Sequence, residues 1–168
     1  YNQIENTFPF ICKIFGIIKQ SNEIPIIIFE YIEGETLDEF LSNEKEINFN
    51  TKIKIIEEIL FSVYYVHSNG FYLRDLKPNN VIINSENDAI LIDFDLSEEM
   101  DSPNEDNNTG GFGNLIFAAP EQLNSNTCTY KADLYSLGMI IHFILTKQKH
   151  NFKTCDLSEI YIIHYKLS

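Results

Sequence analysis

The 168-residue chain carries 25 acidic against 12 basic side chains, a formal net charge of −13, with 44% hydrophobic residues. That length supports one ordinary core with the apolar fraction of a globular protein. So acidic a surface argues against a nucleic-acid partner, because phosphate backbones reward clustered Lys and Arg, and it favours basic substrates. Cys12, Cys128 and Cys155 are odd in number and far apart, which predicts free thiols in a reducing, cytoplasmic compartment. The apolar stretches Ile24–Ile32 and Gly138–Leu145 fall well short of the ~20 residues a membrane span takes, so no membrane span is expected.

In chain order, Ile11–Lys19 and Ile24–Ile32 are Ile-rich runs parted by the polar residues 20–23, the pattern of a hairpin. Glu33-Gly34-Glu35 should break the second strand, and Thr36 should begin a short helix through Leu41. From Asn50 to Ser68, Ile53, Ile56, Leu60, Val63 and Tyr64 recur at helical spacing, with Asn50 as cap and Asn69-Gly70 as stop. His67, at that helix end, reads as a partner of the helix dipole. Val81–Asn84 and Ala89–Ile92 flank the turn Ser85–Asp88 in a second hairpin, so Asn80 and Asp93 should emerge at the same end. Ala132–Thr146 is apolar nearly all round, as in a helix buried inside a lobe, and its Asp133 then needs several hydrogen-bond donors. His142 is a core histidine on this reading, Cys128, His150 and His164 show no convergent zinc pattern, and Gly110, Gly111 and Gly113 lack the strand-to-helix setting of a nucleotide fingerprint.

The most informative run is Tyr72-Leu73-Arg74-Asp75-Leu76-Lys77-Pro78-Asn79-Asn80, followed by Asp93-Phe94-Asp95. It sets out a base, a cation and two oxygen ligands in the order that phosphoryl transfer needs. Asp75 can accept a hydroxyl proton, Lys77 can neutralise a travelling phosphoryl group, and Asn80 with Asp93 can hold magnesium against nucleotide phosphates.

These two motifs resemble the catalytic loop and metal-binding motif of eukaryotic protein kinases. Gly113-Asn114-Leu115-Ile116-Phe117-Ala118-Ala119-Pro120-Glu121 is similar to the segment that closes that family's activation loop, Lys131–Gly138 to the start of its large buried helix, and Ile26–Gly34 to its fifth strand and hinge. The resemblance implies a truncated, α+β protein-kinase-like fold. Residues 1–34 would be a first-lobe remnant of two strands and hinge, and 35–168 a partial second lobe with catalytic loop, activation segment and large helix. The glycine loop, the third-strand lysine, its glutamate partner and the last helices would lie outside this fragment, which alone should be inactive.

ATP and Mg2+ are the implied cofactors, and the implied activity is phosphoryl transfer to Ser/Thr hydroxyls of a protein substrate. By resemblance the backbone of Glu30 and Ile32 contacts adenine, Ile82 forms the floor beneath it, and Asp133 accepts hydrogen bonds from the catalytic-loop backbone. Lys77, two residues past the base, matches the serine/threonine branch, although Asn114 stands where that branch has threonine. Arg74 implies control by phosphorylation, with Ser97, Ser102 and Thr109 as candidate acceptors; the intervening Glu98, Glu99, Asp101, Glu105 and Asp106 either imitate part of a phosphate's charge or, as the simpler reading, form an ordinary solvated loop. Leu73 replaces a histidine in an apolar packing role. Asp95 replaces a glycine, for which a left-handed backbone would cost about 1–2 kcal/mol. The alternative reading that this change raises is a pseudokinase acting as a binding scaffold.

Overall fold

Isoleucine-rich pairing and one long capped helix organise the first half of the chain. The computed structural model describes residues 8–19, 24–43, 46–100, 116–124 and 129–149. They divide into two compact units, one of residues up to Asn69 together with Pro78–Asp95, the other of Gly70–Lys77 and the chain from Leu96 onward.

In the first unit, strands β1 (Ile14–Ile18) and β2 (Ile26–Phe29) form the expected antiparallel hairpin, with a register shift between Ile14 and Gly16. The break expected at Glu33-Gly34-Glu35 is instead a short strand, β3 (Gly34–Thr36), paired antiparallel with β5 (Val81–Asn84). Strand β5 pairs in turn with β6 (Ala89–Leu91), giving a three-stranded sheet in the order β3-β5-β6. Polar flanks concealed β3, because one face of a three-residue strand is too short to show alternation. The β5–β6 turn is built by Asn84, whose Oδ1 accepts from the amides of Glu86 and Asp88 at 2.9 Å each, with Asn87 in the left-handed region at φ 58°.

Thr36 caps helix α1 (Leu37–Asn43) rather than starting it. The Glu39 carboxylate accepts the Thr36 amide at 2.9 Å while the Thr36 hydroxyl accepts the Glu39 amide at 3.2 Å, a reciprocal capping box.

Helix α2 (Phe49–Ser68) is capped two residues earlier than expected, by Asn48, whose side chain accepts from the Asn50 amide at 2.8 Å. Its buried face is Ile55, Ile56, Glu58, Ile59, Ser62, Val63 and Val66. The apolar spacing pointed partly elsewhere, since Leu60 and Tyr64 lie outside, at 41% and 71% exposure. Two polar residues explain the difference. Ser62 donates to the Phe10 carbonyl at 2.9 Å and Glu58 accepts the Ala89 amide at 2.7 Å, so both go inward with their hydrogen bonds satisfied.

Glu58 gives a pH signature. Burial, as the largest influence, raises its pKa above the ordinary 4.5 despite the Ala89 hydrogen bond and the Lys54 charge. The folded chain therefore holds this proton more tightly than the unfolded one, and stability falls as pH rises from the ordinary value through the raised one. Glu58→Gln keeps an acceptor for Ala89 without the charge. The variant should match or exceed the wild type in urea midpoint at pH 7 and lose that advantage as pH falls toward 4.5. An advantage unchanged across that range would refute the assignment.

In the second unit, β4 (Phe71–Tyr72) pairs antiparallel with β7 (Glu98–Glu99). Two helices follow, α3 (Pro120–Asn124) and α4 (Tyr130–Thr146), the latter capped by Thr129, whose side chain accepts from the Lys131 amide. The core holds Phe117, Ala119, Ala132, Asp133, Leu137, Ile140, Phe143 and Ile144, with Phe117 and Phe143 edge to face. His142, expected in the core, is instead partly exposed and accompanied by Thr146.

Candidate active site

The catalytic-loop motif belongs to the second unit as far as Lys77. Buried Asp133, 1% exposed, accepts the Leu73 amide on Oδ2 at 2.7 Å and the Arg74 amide on Oδ1 at 2.9 Å. The same turn is held from the other side of the peptide by Gln122, which donates to the Arg74 carbonyl at 2.7 Å and accepts the Ala119 amide at 2.9 Å. These bonds hold Arg74 at φ 68°, a left-handed conformation costing about 1–2 kcal/mol for a residue with a Cβ. Leu73 is buried, as its apolar role requires.

One residue past this turn, Asp75 and Lys77 form an ion pair, Lys77 Nζ donating to Asp75 Oδ2, with both side chains largely shielded. A carboxylate and an ammonium on one fixed loop can serve a hydroxyl proton and a phosphoryl charge together. Arg74 Nη1 donates to Glu98 Oε2 at 2.7 Å, and the Tyr72 hydroxyl donates to the same oxygen at 2.8 Å.

Asn80 and Asp93 belong to the first unit. Asn80 closes a 3-10 turn (Pro78–Asn80) ahead of β5, and Asp93 follows β6. The Ile92 amide donates to the Asn80 carbonyl at 2.9 Å, tying the two positions together at one end of the sheet, as the hairpin reading expected. An amide oxygen and a carboxylate are the hard donors magnesium accepts, and magnesium uses only one or two protein carboxylates when phosphates and waters complete its shell. The donor set therefore fits the ion, and among the described residues no group of three or more His, Cys, Asp or Glu gathers as a separate metal site.

Asp93, not Asp95, occupies the left-handed region, at φ 66°. The penalty expected at Asp95 is thus absent. Its amide donates to Asp93 Oδ1 at 3.2 Å in an ordinary backbone conformation, and an aspartate replaces glycine there without that strain.

Glu30 and Ile32, expected as hinge residues, line a cavity of about 300 Å3 together with Lys13, Tyr31, Glu33 and Ile90. The segment is anchored by the Glu30 amide, which donates to the Lys13 carbonyl at 2.8 Å. Ile82 does not line that cavity; it is half-buried in β5 and pairs with Ile90, which does. Cys12 is a buried free thiol beneath the same segment, near the Glu30 carbonyl, and burial raises its pKa. Asn114, Ser102, Thr109, Cys128, Cys155, His150 and His164 lie outside the described residues.

Sequence reasoning passed over Gln122, Glu58 and Ser62, and it read Glu98 among several loop acids as more simply solvated than standing in for a phosphate, whereas Glu98 is paired with Arg74. Each is a polar residue whose hydrogen-bond partner is distant in the chain, and no local pattern marks it.

A strained, doubly clamped loop carrying paired Asp75 and Lys77 is an arrangement suited to a phosphotransferase. The protein kinase domain model matches residues 2–165, and the chain belongs to the protein kinase family. That family generally uses ATP and Mg2+ and acts on protein substrates. The chain is 30% identical over 122 residues to the probable serine/threonine-protein kinase PknB of Lactococcus lactis, covering 73% of this chain and 20% of that protein. It is 28% identical over 138 residues to the serine/threonine-protein kinase PrkC of Bacillus subtilis, covering 82% and 21%. A putative serine/threonine-protein kinase, R436, of Acanthamoeba polyphaga mimivirus is 36% identical over 110 residues, covering 64% and 39%. The chain thus spans about a fifth of the length of the bacterial relatives. No helix among the described residues is long and apolar enough to cross a membrane.

Proposed function

We propose that this chain supplies the hinge, catalytic loop and metal ligands of a cytoplasmic kinase that phosphorylates Ser/Thr hydroxyls of proteins. Residues 1–34 act as the first-lobe part and 35–168 as the second-lobe part. The observation that carries the reading is the Asp75–Lys77 ion pair on a loop whose preceding amides are clamped by a buried carboxylate.

In this mechanism Asp75 orients the acceptor hydroxyl and takes its proton, and Lys77 meets charge on the transferring phosphoryl group. Backbone groups of Glu30 and Ile32 hold the adenine edge, and Ile90, the strand partner of Ile82, gives the cavity its apolar wall. Asn80 and Asp93 hold magnesium, which when bound neutralises the nucleotide phosphates. Most of the chemistry is positioning, which suits a loop that keeps a left-handed residue in place. The serine/threonine kinases among its relatives favour catalysis over the scaffold reading.

Asp75→Asn in the full-length protein should reduce phosphoryl transfer from labelled ATP to a basic Ser/Thr peptide by roughly 100- to 1000-fold, about 3–4 kcal/mol of barrier. Nucleotide affinity, measured by calorimetry, should stay nearly constant. Undiminished transfer would reject Asp75 as the base, whereas nucleotide binding without any wild-type transfer would favour the scaffold.

A further inference from the structure

We propose that Glu98 is a positioning residue that supplies Arg74 with its negative partner from within the chain, so that the catalytic loop is held without an added phosphate. The inference rests on the kinase reading above and revises the expectation that Arg74 signals control by phosphorylation.

Strand pairing sets Glu98 opposite Tyr72, two residues before Arg74. One oxygen, Glu98 Oε2, accepts both the Arg74 guanidinium at 2.7 Å and the Tyr72 hydroxyl at 2.8 Å. The Arg74 and Glu98 side chains are 18% and 19% exposed, so the pair is partly withdrawn from solvent and its charges are less screened than on an open surface. The Met100 amide donates to the Gly70 carbonyl at 2.7 Å and closes the ladder one step further on. Thus the chain after Leu96 is fastened to Tyr72 and Arg74, just ahead of Asp75.

A guanidinium beside the base can be satisfied by phosphate or by carboxylate, since both accept charge-assisted hydrogen bonds. Here the carboxylate has the position. A phosphate brought to Arg74 would meet Glu98 as a like charge and lose much of what it gains. The Tyr72 hydroxyl makes the site specific for an acceptor, because a neutral amide at residue 98 would offer that oxygen without the charge Arg74 needs.

The test uses the full-length protein, treated with phosphatase and verified as unphosphorylated by mass spectrometry. Wild type should keep its transfer rate within about twofold of the untreated enzyme, because the charge is internal. Glu98→Gln should lower kcat at least tenfold with KM for ATP changed by less than about twofold, and Glu98→Asp should recover most of the loss. Glu99→Gln, the exposed neighbour in β7, should match wild type. Backbone hydrogen exchange over residues 71–74 should quicken about tenfold or more in Glu98→Gln. A more than tenfold loss on dephosphorylating wild type, or unchanged kcat and exchange in Glu98→Gln, would overturn the proposal. If wild type transfers no phosphate in any state, the kinase reading fails by itself. The exchange measurement still decides for Glu98, faster exchange supporting its positioning role and unchanged exchange rejecting it.

Discussion

Asp133→Asn should destabilise the protein by about 3 kcal/mol, among the largest effects of any single polar substitution in the chain. Asp133 is 1% exposed, and each of its oxygens accepts a different backbone amide, Leu73 at 2.7 Å and Arg74 at 2.9 Å. An asparagine has one acceptor oxygen. Whichever way its amide turns, an NH2 group faces an N–H group, so one hydrogen bond to a charged acceptor is replaced by two opposed donors without water to relieve them. Hydrogen bonds to charged groups contribute about 1.5–3 kcal/mol each, and an orphaned buried donor costs about 1–3 kcal/mol. The damage falls on the turn that keeps Arg74 at φ 68°, a conformation with no local preference to sustain it.

Urea denaturation should report the loss of stability, and hydrogen exchange should show the Leu73 and Arg74 amides losing protection before those of α4. Transfer activity should drop roughly 100-fold, since small displacements of a positioned base cost about that much. Asp133→Ala, which removes both acceptors, should be more damaging still. If the asparagine variant kept its denaturation midpoint and both amides stayed protected, the clamp would not be what holds the loop.

That clamp was readable in advance because a carboxylate in an all-apolar helix demands donors, and the kinase resemblance supplied them. The Asp75–Lys77 pairing lay in one short contiguous run, and the roles proposed for Asp75, Lys77, Asn80 and Asp93 rest on such runs, whose chemistry needs no distant partner to suggest it. Hairpins parted by polar turns appeared where the alternation of isoleucine and turn residues placed them. What escaped were the residues that work across the chain. Gln122 meets the Arg74 carbonyl over 48 positions, a separation that helical and strand periods do not reach, and Glu98, one of a run of loop acids in the sequence, is singled out only by its contact with Arg74 over 24 positions. The face of α2 was misread for a related reason. Glu58 and Ser62 look solvent-bound by residue type, yet their partners Ala89 and Phe10 draw them inward and rotate Leu60 and Tyr64 toward water. Asp95 shows the converse error. The glycine rule was applied to the residue where the motif departs, whereas the left-handed backbone sits two residues earlier, at Asp93.

Gly34→Ala carries the second large expected effect, a loss of about 3 kcal/mol through overpacking that the backbone cannot relieve. A Cβ on Gly34 would lie 2.3 Å from the Ile83 carbonyl oxygen, 2.8 Å from Ile82 Cγ2 and 2.9 Å from the Ile83 carbonyl carbon. The glycine is needed for close approach and not for unusual dihedral angles. Ile83 cannot yield, because it is 2% exposed and lies in the middle strand, paired with Glu35 on one side and Ala89 on the other. The inserted methyl group must therefore push β3 off β5. Strand β3 directly follows the Glu30–Glu33 segment that lines the cavity proposed to hold adenine, so on that proposal its release should weaken nucleotide binding about tenfold or more as well as stability. Gly16→Ala provides the contrast, since a Cβ there meets nothing within 4 Å, and it should remain within about 0.5 kcal/mol of wild type. Equal denaturation midpoints for the two alanine variants would show that β5 accommodates the added carbon and that the tight β3–β5 contact does not anchor the hinge.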